Sequence, residues 1–171
     1  AECYDLMKNV IGMSHTQMAD TFAEWNKGDL ESFLIEITER ILREADPETK
    51  QPLVEMILDK AGQKGTGRWT SEIALRYGTP VPTMQAAVEA RYLSSMKAQR
   101  LHASNHLEGP AAGSPVEGMI DAIRDALYCS KICSYAQGLD LLATADADKK
   151  WGLDLGEVAR IWKGGCIIRA R

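Results

Sequence analysis

The stretch Met119-Ile-Asp-Ala-Ile-Arg-Asp-Ala-Leu-Tyr-Cys-Ser-Lys-Ile-Cys-Ser-Tyr-Ala-Gln-Gly138 decides the fold class. Ile120, Ile123 and Leu127 share one face at helical spacing, and Met119, Ala122, Ala126, Cys129 and Cys133 share a second. Such a period belongs to an α-helix, and it extends from about Val116 to Ala145. Two apolar faces imply burial between several partners. Ser130, Ser134 and Gly138 fall four apart, and small side chains at that spacing let another helix come close.

Working outward, Gly109-Pro-Ala-Ala-Gly-Ser-Pro115 breaks the pattern and reads as an exposed loop. A second long helix is expected before it, from about Thr83 to Leu107, with Pro82 suited to its first turn. Before that comes a short helix near Trp69–Tyr77, ended by Gly78. Leu53–Leu58 fits a strand, a single helical turn or a packed loop. Toward the N-terminus, Glu2–Met13 carries Leu6, Val10 and Met13 on one helical face, beside Met7 and Ile11. Ser14-His-Thr-Gln17 reads as a capping box for a helix bearing Met18, Phe22 and Trp25, with His15 at the surface. Asp29 is the expected N-cap of a helix with Leu30, Phe33, Leu34, Ile37 and Ile41 inward. A last amphipathic helix spans Leu155–Trp162, before Gly164-Gly165 and the apolar Cys166-Ile167-Ile168. The whole is an all-α, multi-helix bundle built around two long helices, read as one domain over 1–171.

Composition narrows the function. The chain has 171 residues, 45% hydrophobic and 26% charged, which suits one globular domain with a real core. The net charge is −4 and no Lys/Arg run occurs, so nucleic acid is not an expected partner. The apolar runs are too short to span a membrane, and no membrane partner is expected. Four cysteines form no disulfide framework, which points to a reducing, cytoplasmic compartment.

The chemistry concentrates in Ala61-Gly-Gln-Lys64-Gly65-Thr66-Gly67-Arg68-Trp69-Thr70. Three glycines let the backbone fold tightly and approach a ligand. The following helix presents unpaired N–H groups, while Lys64, Arg68 and the Thr66 hydroxyl add charge and donors. The combination suits a phosphate or carboxylate, although a plain glycine-rich connector has the same composition. It is not a P-loop, because the last glycine precedes Arg68-Trp69. Arg91 continues the stripe Met84, Ala87, Arg91, Ser94, Ala98 among small or apolar neighbours. Its planar fork suits an oxyanion, but taken alone the pattern favours an arginine that packs its stem and sends its head to water. Cys129 with Cys133 and His102 with His106 offer a Cys₂His₂ set in principle. The cysteines lie on an apolar face and the histidines in a last helical turn, so no metal is assigned. Gly-x-Gly-x-x-Gly is absent, so the chain carries no dinucleotide fingerprint of its own.

Several of these segments resemble 6-phosphogluconate dehydrogenase. They are Lys64-Gly65-Thr66-Gly67-Arg68-Trp69-Thr70 with Asp59 and Gln63 before it, Ala90–Lys97, Ser134-Tyr135-Ala136-Gln137-Gly138, Trp162–Arg169 and Glu24-Trp25-Asn26-Lys27-Gly28. They follow the family's order and cover nearly the whole chain. The family more often has lysine where Arg68 stands and phenylalanine where Leu139 stands.

The resemblance implies an enzyme of the pentose phosphate pathway and gluconate utilization. That enzyme oxidises and decarboxylates 6-phosphogluconate to ribulose 5-phosphate with NADP, as a homodimer. It implies that Lys64, Thr66 and Arg91 hold the substrate phosphate. The family's catalytic lysine and glutamate would lie before Ala1, and a tail that completes the partner's site would lie after Arg171. By the same resemblance, the Rossmann-like domain that binds most of the NADP would also lie outside residues 1–171. The chain is therefore expected to be the central helical domain, carrying part of the substrate pocket and the dimer surface and no catalytic residue. The alternative is a stand-alone, non-catalytic helical interaction module.

Overall fold

The computed structural model describes residues 1–109, 111 and 113–170. Among them the regular structure is helical, with two isolated β-bridges, Ser32 to Ala170 and Ala45 to Pro52. The all-α expectation holds. The elements are α1 (Glu2–Asp5), a π-helix (Leu6–Ile11), α2 (His15–Trp25), α3 (Phe33–Arg43), α4 (Leu53–Met56), α5 (Thr66–Tyr77), α6 (Pro82–Ser95), α7 (Lys97–Ser104), α8 (Met119–Lys149) and α9 (Leu155–Trp162). Pro110 and Ala112, inside the expected loop 109–115, lie outside the described residues. None of the described helices is long and apolar enough to cross a membrane.

The chain forms two compact units. The first comprises Ala1–Ile57, Ala111–Tyr128 and Gly156–Arg171. Its core gathers Met7, Met18, Ala19, Phe22, Trp25, Leu30, Ile35, Leu42 and Ile123. Phe22 and Trp25 meet edge to face at 5.2 Å, a favoured geometry for two ring quadrupoles. The Ser14 capping box forms as expected, with Gln17 reaching back to the Ser14 N–H at 2.8 Å.

Three readings need correction in this unit. The first helix turns into a π-helix at Leu6, which buries Met7 fully and leaves Leu6 at the surface. Helix α3 starts at Phe33, capped by the Ser32 hydroxyl rather than by Asp29. It buries Ile35 and Leu42, while Leu34 and Ile41 are 43% and 46% exposed. The expected inward series is thus split: Leu30 is buried and Phe33 and Ile37 are half-buried, while Leu34 and Ile41 are exposed.

His15 is the third correction. It is a capping-box neighbour but not a free surface group. Its Nε2 lies 2.9 Å from the Glu55 carboxylate and 3.1 Å from the Tyr4 hydroxyl. Lys8 reaches the same carboxylate at 2.6 Å, and the Tyr4 hydroxyl donates to it as well. One carboxylate on α4 thus ties α1, the π-helix and α2 together.

The second unit comprises Leu58–Pro110 and Cys129–Leu155. Ala74, Val81 and Leu141 form its small core, with Tyr77 and Met84 against it. Gly78 ends α5 in the left-handed region (φ +64°), as its position implies. Helix α5 begins three residues earlier than expected, at Thr66, because Gly67 is drawn into its first turn. A Cβ on Gly67 would stand 2.8 Å from Val88 Cγ2, so glycine is what lets α5 approach α6 there.

The expected helix 83–107 is two helices, broken at Met96 (φ −86°, ψ +46°). Ser95 returns its hydroxyl to the Tyr92 carbonyl at 2.7 Å, a local bond that competes with helix continuation. On the small-residue stripe of α8, no neighbour among the described residues comes close at Gly138. The space a Gly138 Cβ would fill is open, and Ser134 donates back to the Ser130 carbonyl. Cys129 is exposed and Cys133 half-buried, so this part of α8 lacks the expected cover.

Acid should loosen the first unit through Glu55. Its pKa is lowered from 4.5 to about 2, first by the Lys8 hydrogen bond and then by the Tyr4 hydroxyl. The depressed value means the stabilisation is complete above the unfolded pKa and is lost as pH falls toward the folded one. In urea titrations, the stability gap between the native chain and Glu55→Gln should shrink as pH drops from about 6 to about 3. A gap that stays constant across that range would show that the Glu55 charge contributes nothing.

Candidate functional site

The glycine-rich segment runs from the end of α4 into α5. Gly65 stands at the N-cap with φ +103°, a conformation open to glycine. It has no side chain to cap the helix, so the first-turn N–H groups are left for something else. Thr66 is the first helical residue. Lys64 precedes this turn, exposed, and makes no hydrogen bond or ion pair among the described residues.

Helix α6 supplies the other wall. Its N-terminus is held by Gln137 of α8, whose carbonyl oxygen accepts from the Thr83 N–H at 3.0 Å and whose amide donates to the Thr83 hydroxyl at 2.9 Å. Two turns on, Arg91 donates from Nε to the Gly62 carbonyl at 2.9 Å, and its Nη2 donates to the same oxygen. Nη1 has no partner among the described residues. Arg91 is therefore not an arginine that merely sends its head to water.

Lys64 and Arg91 border one cavity of about 380 Å³. That volume lies within the range of small-molecule sites, about 300–1,000 Å³. Gln63, Thr66, Gly67, Thr70, Met84, Ala87 and Val88 complete its lining. None of these is acidic, so two cations face the cavity without a carboxylate on a chain of net charge −4. Two clefts in the first unit differ. One has Lys27 and Arg124 beside Asp29 and Asp125, and the other Lys163 and Arg169 beside Glu31 and Glu36. In the Lys64–Arg91 cavity, by contrast, the charged lining is cationic alone. Arg68 of the same loop turns to Glu72 at 3.4 Å and is not among the lining residues.

Sequence reasoning did not single out Gln63 for a role. Both polar atoms of its amide are buried without a hydrogen-bond partner among the described residues. It lies between Gly62 and Lys64, and a buried unpaired amide costs about 1–3 kcal/mol. Its only signal in the sequence is its place inside the motif. The His102 and His106 rings meet edge to face, with centroids 4.7 Å apart. No three of His, Cys, Asp and Glu gather as a metal-binding set among the described residues.

The comparisons with known proteins agree with one another. A family model described as 6-phosphogluconate dehydrogenase, C-terminal domain, matches residues 1–171. A 6-phosphogluconate dehydrogenase, decarboxylating, from Synechococcus elongatus is 60% identical over 99% of the chain and 37% of its own length. An NADP(+)-dependent relative from Bacillus subtilis is 51% identical over 99% of the chain and 37% of its length. A solved 6-phosphogluconate dehydrogenase from Plasmodium falciparum superposes with a TM-score of 0.90 at 44% identity, over 99% of the chain and 37% of that structure. The chain thus spans a little over a third of the length of these relatives.

Replacing Gln63 tests the orphaned amide. Gln63→Met keeps the volume and removes both unpaired atoms, so the unliganded chain should be equally stable or gain about 1 kcal/mol. Thermal unfolding without ligand reads this directly. A clear fall in the midpoint would mean that the amide has a partner in solution.

Proposed function

Because the chain belongs to the 6-phosphogluconate dehydrogenase family, as its C-terminal domain, we propose that it grips the phosphate of 6-phosphogluconate. The whole enzyme would be an NADP-dependent oxidative decarboxylase that forms ribulose 5-phosphate. One observation carries this reading: Lys64 and Arg91 face a common cavity with no acid to neutralise them. A phosphate monoester dianion meets both needs. Arg91 offers the free edge of its fork, Lys64 a mobile point charge, and Thr66 a hydroxyl beside first-turn N–H groups.

These residues do no bond-making. They hold the end of the sugar acid remote from the reacting carbons, so that binding energy there fixes the position of the reacting end. The residues that abstract and return protons are assigned to the part of the enzyme outside this chain. NADP is assigned there too. The described residues form no strand–helix crevice of the kind that seats a dinucleotide, and this chain's residues do not fit it as its principal holders. When bound, NADP supplies the hydride acceptor.

A homodimer is part of the same reading. Leu34 and Ile41 on α3, and Ile132 on α8, are apolar and between 43% and 51% exposed, which suits faces covered by a second copy. A cytoplasmic location fits the four free thiols.

Lys64→Ala and Arg91→Ala should each weaken 6-phosphogluconate binding by roughly ten- to a hundredfold, the worth of a charge-assisted hydrogen bond. Calorimetric titration of the enzyme carrying this domain measures it. Native affinity in both variants would remove the phosphate assignment.

A further inference from the structure

Nothing within the glycine loop accounts for its own fixed position. Gly62 and Gly65 give the segment freedom rather than rigidity. What holds it is a row of side chains from α6 and α7. The Arg100 Nη1 donates to the Asp59 carboxylate at 2.9 Å, and its Nη2 donates to the Asp59 carbonyl at 2.8 Å. The Ser94 hydroxyl accepts from the Ala61 N–H at 2.9 Å. Arg91 takes the Gly62 carbonyl. Asp59, Ala61 and Gly62 are thus pinned in succession, and Lys64 follows two residues later.

Arg100 does more than tether Asp59. The break at Met96 leaves the last carbonyls of α6 short of helical partners. Arg100 donates from Nε to the Leu93 carbonyl and from Nη2 to the Ser94 carbonyl, both at 3.1 Å. A single guanidinium therefore joins the end of the helix that carries Arg91 to the root of the loop that carries Lys64. Lys97 adds a weaker contact to Asp59 at 3.6 Å. The Asp59 carboxyl is held below its usual pKa, chiefly by the Arg100 hydrogen bond, so it stays charged at neutral pH.

We infer that the Arg100–Asp59 bridge is a positioning device that sets the separation of Lys64 and Arg91 for an incoming phosphate. Arg100 and Asp59 are absent from the cavity lining and act through the two cations. The inference rests on the reading of that cavity as the phosphate pocket. Lysine at position 100 would keep the charge but lose the fork, and asparagine at position 59 would keep the shape but lose the charge.

The test uses Arg100→Lys and Asp59→Asn in the enzyme that carries this domain. Each should raise the KM for 6-phosphogluconate and the inhibition constant of inorganic phosphate together, by about five- to tenfold, as expected for misplaced binding groups. The kcat at saturation and the KM for NADP should stay within about twofold, because the chemistry is elsewhere. Combining Arg100→Lys with Arg91→Ala should cost less than the two single effects multiplied together, since both act on one contact set while Lys64 still depends on the bridge. Asp59 is 67% exposed, so its variant is not expected to disturb folding.

Two results would overturn the inference. In one, both variants keep native KM values while Lys64→Ala and Arg91→Ala raise them, which leaves the phosphate reading standing. In the other, kcat and thermal stability fall with KM unchanged, which marks a merely structural bridge. Native affinity in all four variants would instead sink the phosphate reading itself.

Discussion

The second unit depends on one hydrogen-bonded contact between segments 29 positions apart, the Arg91 guanidinium on the Gly62 carbonyl. It fixes a glycine loop to a helix and brings two cations to one cavity. Gly67 permits the same approach from the α5 side, because a β-carbon there would collide with Val88. Gln137 anchors the other end of α6 through Thr83. The wall that carries Arg91 is therefore tied at its start, its middle and its end.

The first unit is organised differently. Burial of Met7, Met18, Phe22 and Trp25 supplies its apolar interior, and Glu55 supplies a polar knot at its edge. Tyr4, Lys8 and His15 each spend a polar group on that carboxylate. Exposed single ion pairs contribute little, but three donors from three elements on one acceptor constrain how those elements sit. The two units thus illustrate two ways of holding short helices: an apolar interior with a charged clasp, and a small core with side chains that grip backbone carbonyls.

Much of this was legible in the residues. The Ser14 box, the stop at Gly78 and the long α8 follow from local chemistry, because each needs only neighbours within a few positions. The α3 face was legible only in part: Leu30 is in the core, but Ile35 and Leu42 rather than Leu34 and Ile41 are buried, a choice that depends on tertiary packing. The break at Met96 was hidden as well, since Ser95 and Arg100 redirect carbonyls that a periodicity count assumes are satisfied within the helix. Lys64, Thr66 and Arg91 were singled out from composition and from resemblance. That Lys64 and Arg91 border one cavity is a property of packing. Asp59 and Arg100 are 41 positions apart, and no spacing rule connects them.

The uncompensated pair also governs the approach of a solute. The chain as a whole is acidic, so at long range it offers a dianion no general attraction. The pull begins only within about one Debye length of the cavity mouth, about 8 Å at physiological ionic strength. Attraction of an anion by this pair would therefore be local, and added salt would screen it, since Lys64 and Arg91 are both exposed.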